Sequence, residues 1–115
     1  MQENPQYRVI NELSDAQTHE LHALFQGEWW CAGRTFEDVR TMLLHSDMVF
    51  ALCPVENDAL LGFARVLTDR VFKAIVFDVI VHPAHRGEGL GQLLMRNLVE
   101  HPVLQQVRHL SLIHI

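Results

Sequence analysis

The chain has 115 residues, of which 49% are hydrophobic and 20% charged, and carries a formal net charge of -5 with its 8 histidines counted as neutral. That length and balance give one folded domain around a single core and exclude a disordered chain. An acidic balance also argues against a nucleic-acid groove or a membrane surface as the main partner, because both call for clustered Lys and Arg. Any anionic ligand must therefore be held locally.

The opening MQENPQYRVI has no basic region followed by an apolar core, and no run approaches the roughly 18 apolar residues of a membrane span. The expected location is the cytoplasm. Tyr7 to Leu13 reads as a short strand. Ser14-Asp15-Ala16-Gln17 follows with the capping-box pattern, so a helix is expected to about Gln26, with Leu21, Leu24 and Phe25 at helical spacing. Gly27 to Arg34 is a loop carrying Trp29 and Trp30, after which Thr35 to Asp38 caps a second helix bearing Val39, Met42 and Leu43.

From Met48 the apolar pattern becomes that of strands: Val49 to Cys53, Leu60 to Thr68 and Ala74 to Val81, joined by turns near Val55-Asp58 and Asp69-Arg70. Such short connections make antiparallel neighbours. Gly89 to His101 is expected to be a helix stopped by Pro102, and His109 to Ile115 a last strand. The order β-α-α-β-β-β-α-β predicts a mixed, mainly antiparallel sheet with helices on both faces, an α/β layer structure of the α+β type. Cys31 and Cys53 have no CxxC spacing and no companion histidines at metal-ligand intervals. Two reduced thiols and no metal are expected.

The densest signal is Val79 to Met95, VIVHPAHRGEGLGQLLM, where an apolar run passes through Gly87, Gly89 and Gly91 into a helix. Glycine costs about 1 kcal/mol against alanine inside a helix, so its place here needs a reason. A helix start carries unpartnered N–H groups and partial positive charge, and bare backbone lets a phosphate approach them. Arg86 adds a charge beside it. A Walker loop is excluded because Gly91 is followed by Gln92 and not by lysine. The GxGxG spacing is also not the GxGxxG of a dinucleotide site.

Val81, Pro83, Arg86, Gly89 and Gly91 fit the pattern V-x-P-x-x-(R/Q)-x-x-G-x-(G/A). In this the stretch resembles the acetyl-CoA loop of the GNAT superfamily of N-acetyltransferases, and the order of elements from Tyr7 onward fits as well. The resemblance implies a GNAT-like fold and transfer of an acetyl group from acetyl-CoA to a primary amine of a small molecule or protein. It implies that Val79, Ile80 and Val81 meet the pantetheine arm, with a backbone N–H of that strand polarising the thioester carbonyl. Arg86, Gly87, Glu88, Gly89, Leu90, Gly91 and Gln92 then hold the pyrophosphate. A non-catalytic acyl-CoA-binding module or an inactive truncated acetyltransferase is the alternative.

The base candidates are Asp78 and Glu28. By alternation Asp78 shares a face with Val76 and Ile80 and is buried, where it serves as a base or as an ion-pair partner of Arg65. Trp29, Trp30 and Arg34 fall in the loop that walls the acceptor site in the family, with one tryptophan expected inward and one at the pocket. His82 and His85 are expected at the solvated surface. A GNAT domain normally continues past the strand that here ends at Ile115, often with a tyrosine that protonates the departing thiolate, whereas the only tyrosine here is Tyr7. The resemblance thus implies one C-terminally shortened domain, weak acetyl-CoA binding and turnover, and homodimerisation or aggregation through the open edge at Leu110 to Ile115 unless that edge is covered.

Overall fold

A computed structural model describes residues 6–113. Its elements are β1 Tyr7–Ile10, α1 Asp15–Gln26, α2 Phe36–His45, β2 Met48–Pro54, β3 Gly62–Thr68, β4 Lys73–Val81, α3 Leu90–Val99, α4 Pro102–Gln106 and β5 His109–Leu112. A short 3-10 turn at Pro83–His85 separates β4 from α3. The helices start where their caps lie. Ser14 Oγ accepts from the Gln17 N–H at 3.1 Å while Gln17 Oε1 accepts from the Ser14 N–H at 2.9 Å, and Thr35 Oγ1 accepts from the Asp38 N–H at 3.1 Å.

The five strands lie in sequence order, β1-β2-β3-β4-β5, antiparallel except for the parallel pair β4-β5. That reversal follows from the connection: β4 returns through α3 and α4 before β5 is laid down, which is what a parallel neighbour requires. Ile10, Ala51, Phe63 and Ile80 form a cross-strand row under α1 and α2, packed with Leu21, Leu24, Phe25 and Val39. The other face carries Phe50, Ala64, Val66 and Val76 against Leu90, Leu94 and Leu98 of α3 and Leu104 of α4. β2, buried at every position from Val49 to Cys53, is covered on both sides, which explains its unbroken apolar run.

The fold class is the expected one, with helices on both faces of a mixed, mainly antiparallel sheet. Four boundaries differ by two residues or more. β3 begins at Gly62, two residues after the expected Leu60. β1 ends at Ile10, where Asn11 turns out of the sheet and its Nδ2 donates to the Val49 carbonyl at 2.8 Å. α3 ends at Val99, and Pro102 begins a new helix, α4, where the sequence predicted only a stop. Proline has no N–H to lose in a first turn, and His101 caps that turn by accepting from the Val103 N–H. β5 spans His109–Leu112, and the two last positions of the expected strand lie outside the described residues.

Candidate active site

The site is organised by a β-bulge. Phe63 faces Ile80 and Arg65 faces Phe77 across the β3-β4 ladder, so Asp78 and Val79 together oppose the single residue between, Ala64. Asp78 takes the left-handed conformation, φ 59°, which aspartate tolerates better than most residues. The extra residue switches the side-chain alternation. Val76 packs on the α3 face and Ile80 on the α1-α2 face, so the expectation that Asp78 shares one face with both fails there. Its burial stands, at 7% exposure, for a different reason.

That reason is a pair of arginines. Arg34 clamps Asp78 with both terminal nitrogens, Nη1 to Oδ2 at 2.8 Å and Nη2 to Oδ1 at 2.9 Å, and Arg65 Nε donates to Oδ2 at 2.6 Å. Burial pushes the Asp78 carboxyl up, but the hydrogen bonds and charges of Arg34 and Arg65 outweigh it and hold the group below the ordinary carboxylate range. The bond to Asp78 in turn raises Arg34. The partnership expected for Arg65 is present, and Arg34 joins it from 44 residues away. Arg34 is itself positioned: its guanidinium lies over the Phe25 ring at 4.7 Å, and its carbonyl accepts from His22 Nε2 and Gln26 Nε2 of α1.

These groups line a cavity of about 390 Å³, bounded by Glu28, Trp30, Arg34, Arg65, Phe77, Asp78, Val79 and Ile113. Trp30 fills both roles imagined for the two tryptophans, packing edge-on against Phe25 and walling the cavity. Trp29 is 81% exposed and is absent from that wall. Phe77 and Ile113 were not singled out from the sequence. The hidden signal for Phe77 was the bulge itself, which puts Phe77 and Asp78 on the arginine side in succession. Cys31 and Cys53 are buried free thiols raised by that burial, and neither borders the cavity.

At the other end of β4 lies the glycine loop. Gly87 and Gly89 have φ of 86° and 79°, a region that side chains with a Cβ rarely enter, whereas Gly91 is ordinary helix whose Cβ would touch Val81 at 3.8 Å. Over Gly87 and Gly89 an added Cβ meets nothing within 4 Å, so the space above this backbone is open. Gly89 is the N-cap of α3 and gives no side-chain hydrogen bond to the first turn of Leu90, Gly91 and Gln92. The Leu90 side chain is buried beneath, and Gln92 is exposed. Glu88 points to His85, 3.4 Å away, and His82 Nδ1 accepts from the Ala84 N–H, capping the 3-10 turn.

Arg86 does not stand free beside the loop. Its Nε donates to the Val81 carbonyl at 3.1 Å and its Nη2 to Glu28 Oε1 at 2.6 Å, so it bolts the loop to the α1-α2 connection. The two halves of the site meet along β4. Among the described residues, β5 pairs with β4 only as far as Val76↔Leu112, leaving the edge of Phe77 to Val81 without a strand beside it. No group of three or more His, Cys, Asp and Glu among the described residues could hold a metal ion, and no described helix is long and apolar enough to cross a membrane.

The sequence profile of the Acetyltransferase (GNAT) family matches residues 9–114. The chain belongs to this family. It is 32% identical over 94 residues to the uncharacterized N-acetyltransferase ycf52 of Porphyra purpurea, an alignment covering 79% of this chain and 53% of that protein. It is 27% identical over 113 residues to the histone acetyltransferase TAP1 of Glycine max, covering 90% and 48%. The chain thus spans about half the length of these curated relatives. Among solved structures, a GNAT-family protein from Xanthomonas campestris superposes with a TM-score of 0.79 at 30% identity, over 96% of this chain and 77% of that one.

Proposed function

We propose that this GNAT domain is an N-acetyltransferase that takes acetyl-CoA as donor and the primary amine of a small molecule or protein as acceptor. One observation carries the reading: the edge of β4 beyond the bulge, with no strand beside it among the described residues, runs directly into an uncapped helix start whose two left-handed glycines have free space above them. An extended pantetheine arm suits the first and a pyrophosphate suits the second. Val79 to Val81 would hold the arm, and the backbone from Gly87 to Gln92 would hold the phosphates. Bound acetyl-CoA supplies an activated acetyl thioester.

The chain's own task is to orient the amine, take its proton and keep water out. Of the two carboxylates on the cavity wall, Asp78 is saturated by two arginines and held ionised, which suits it to fixing Arg34 and Arg65 rather than to accepting a proton. Glu28 is the candidate base: it borders the same cavity, its side chain is 24% exposed, and its known bond uses Oε1. A main-chain N–H of β4 supplies the dipole for the carbonyl oxygen. The relatives named above are themselves called N-acetyltransferase and histone acetyltransferase, which supports acetyl transfer to an amine.

The test is release of free CoA thiol from acetyl-CoA with a panel of amines, alongside calorimetry with CoA. Turnover with at least one amine, lost in Glu28→Gln with CoA affinity kept, is the expected result. CoA binding without thiol release across the panel would instead mark an acyl-CoA-binding module.

A further inference from the structure

Resting on the acetyltransferase reading above, we propose that the acceptor is an amino-carboxylate, an amino acid or close analogue, whose carboxylate is bound by the free edge of Arg65. A guanidinium carries five N–H donors in a planar fork. In Arg65 only Nε has a protein acceptor among the described residues, the Oδ2 of Asp78 at 2.6 Å. The side chain is just 17% exposed, yet no described buried side-chain nitrogen or oxygen lacks a partner, so Nη1 and Nη2 must reach open space. The open space beside Arg65 is the cavity it lines.

This edge is held in place before any ligand arrives. Asp78 fixes one side of the guanidinium, and the Phe77 ring lies under it at 4.8 Å. A fixed, partly dehydrated fork is the geometric match for a carboxylate, which accepts two parallel N–H bonds from it. Charge favours a single negative group: Arg34 and Arg65 against Asp78 leave one net positive charge, Glu28 on the same cavity being balanced by Arg86, and one positive charge would compensate a phosphate dianion only in part. Glu28 on the same cavity offers oxygens to the amine end, and Trp30, Phe77, Val79 and Ile113 give an apolar lining to the body between.

The test titrates the full chain with three matched ligands, phenylalanine, its carboxamide and phenethylamine, followed by calorimetry or by NMR. Phenylalanine is expected to bind about tenfold or more tighter than phenethylamine, the scale of a charge-assisted hydrogen-bond pair, with the carboxamide between. In Arg65→Lys, which keeps a cation beside Asp78 but loses the fork, that preference should disappear while the thermal transition remains cooperative. Equal affinity for phenylalanine and phenethylamine, or an Arg65→Lys protein with the full preference, overturns the proposal. If the variant does not fold, the three ligands on the unaltered chain decide alone. Thiol release with phenethylamine and none with phenylalanine overturns this proposal and leaves the acetyltransferase reading standing. Absence of CoA binding overturns that reading, and the titration still decides the carboxylate preference.

Discussion

The two ends of β4 are built by opposite means. At Gly87 and Gly89 the chain is exposed and its shape is carried by left-handed backbone angles, with the neighbouring Arg86 tying the loop to Val81 and Glu28. Around Asp78 the shape is carried by side-chain charge, a carboxylate buried between two arginines drawn from different elements. A region of the first kind can lose its ligand and keep its fold. One of the second kind cannot lose its central group without loosening the packing around it. Substitutions at the two ends should therefore separate ligand affinity from stability.

The largest effect is expected at Asp78. Asp78→Ala leaves two cations facing each other and should cost about 3–5 kcal/mol, nearer the lower figure because both guanidiniums can take up some water through the cavity. Urea unfolding measures it, and a change under 1 kcal/mol would mean that the wall is not held by this carboxylate. The same group sets a pH dependence. Its folded pKa lies below the unfolded value of about 3.9, so its contribution is present above that value and fades as pH falls below it towards the folded pKa. Unfolding curves between pH 6 and pH 2.5, tracked with the Asp78→Asn protein, should show the acid-side loss in the native chain and a shallower one in the variant.

At the other end, Gly89→Ala forces a Cβ into φ 79° and should cost about 1–2 kcal/mol through strain alone, since nothing lies within 4 Å to clash. Gly89→Val adds bulk over the helix start and should abolish CoA binding in a chain that still folds. Calorimetry showing native CoA affinity in that protein would detach the loop from the phosphate role.

The smallest effect is expected at Trp29. Its side chain, 81% exposed, should change stability by no more than about 0.5 kcal/mol when replaced by alanine, whereas Trp30→Ala opens the cavity wall beside Phe25 and Arg34. Acceptor KM should accordingly rise for Trp30→Ala and stay level for Trp29→Ala; the reverse order would reassign the wall.

Much of this arrangement was legible from local pattern. Ser14 with Gln17 and Thr35 with Asp38 announced two helix starts, and the short turns joining β2, β3 and β4 announced antiparallel neighbours. The glycine loop was legible because its chemistry is contiguous: a strand, a turn and a helix start within one short stretch. The cavity was not, because its bonds join Arg34 to Asp78 and Glu28 to Arg86 across 44 and 58 residues, and no spacing rule reaches that far. The bulge escaped for a related reason. Aspartate in a strand signals burial or pairing, and only the ladder with β3 reveals that the count has slipped by one. Pro102 misled because the residue that ends one helix is equally fit to open the next.

Along β4 the bulge acts like a frameshift in a text. Up to Phe77 the odd positions face the arginines and the even ones face α3; from Val79 onward the two readings are exchanged. Deleting Asp78 would remove the extra residue and leave both readings as they stand: Phe77 would still face the arginines, Val79 and Val81 would still face α3, and Ile80 would stay under α1 and α2. Deletion at position 78 is thus a change of a different order from any substitution there, because it removes the bulge together with the carboxylate, whereas a substitution keeps the extra residue in the strand.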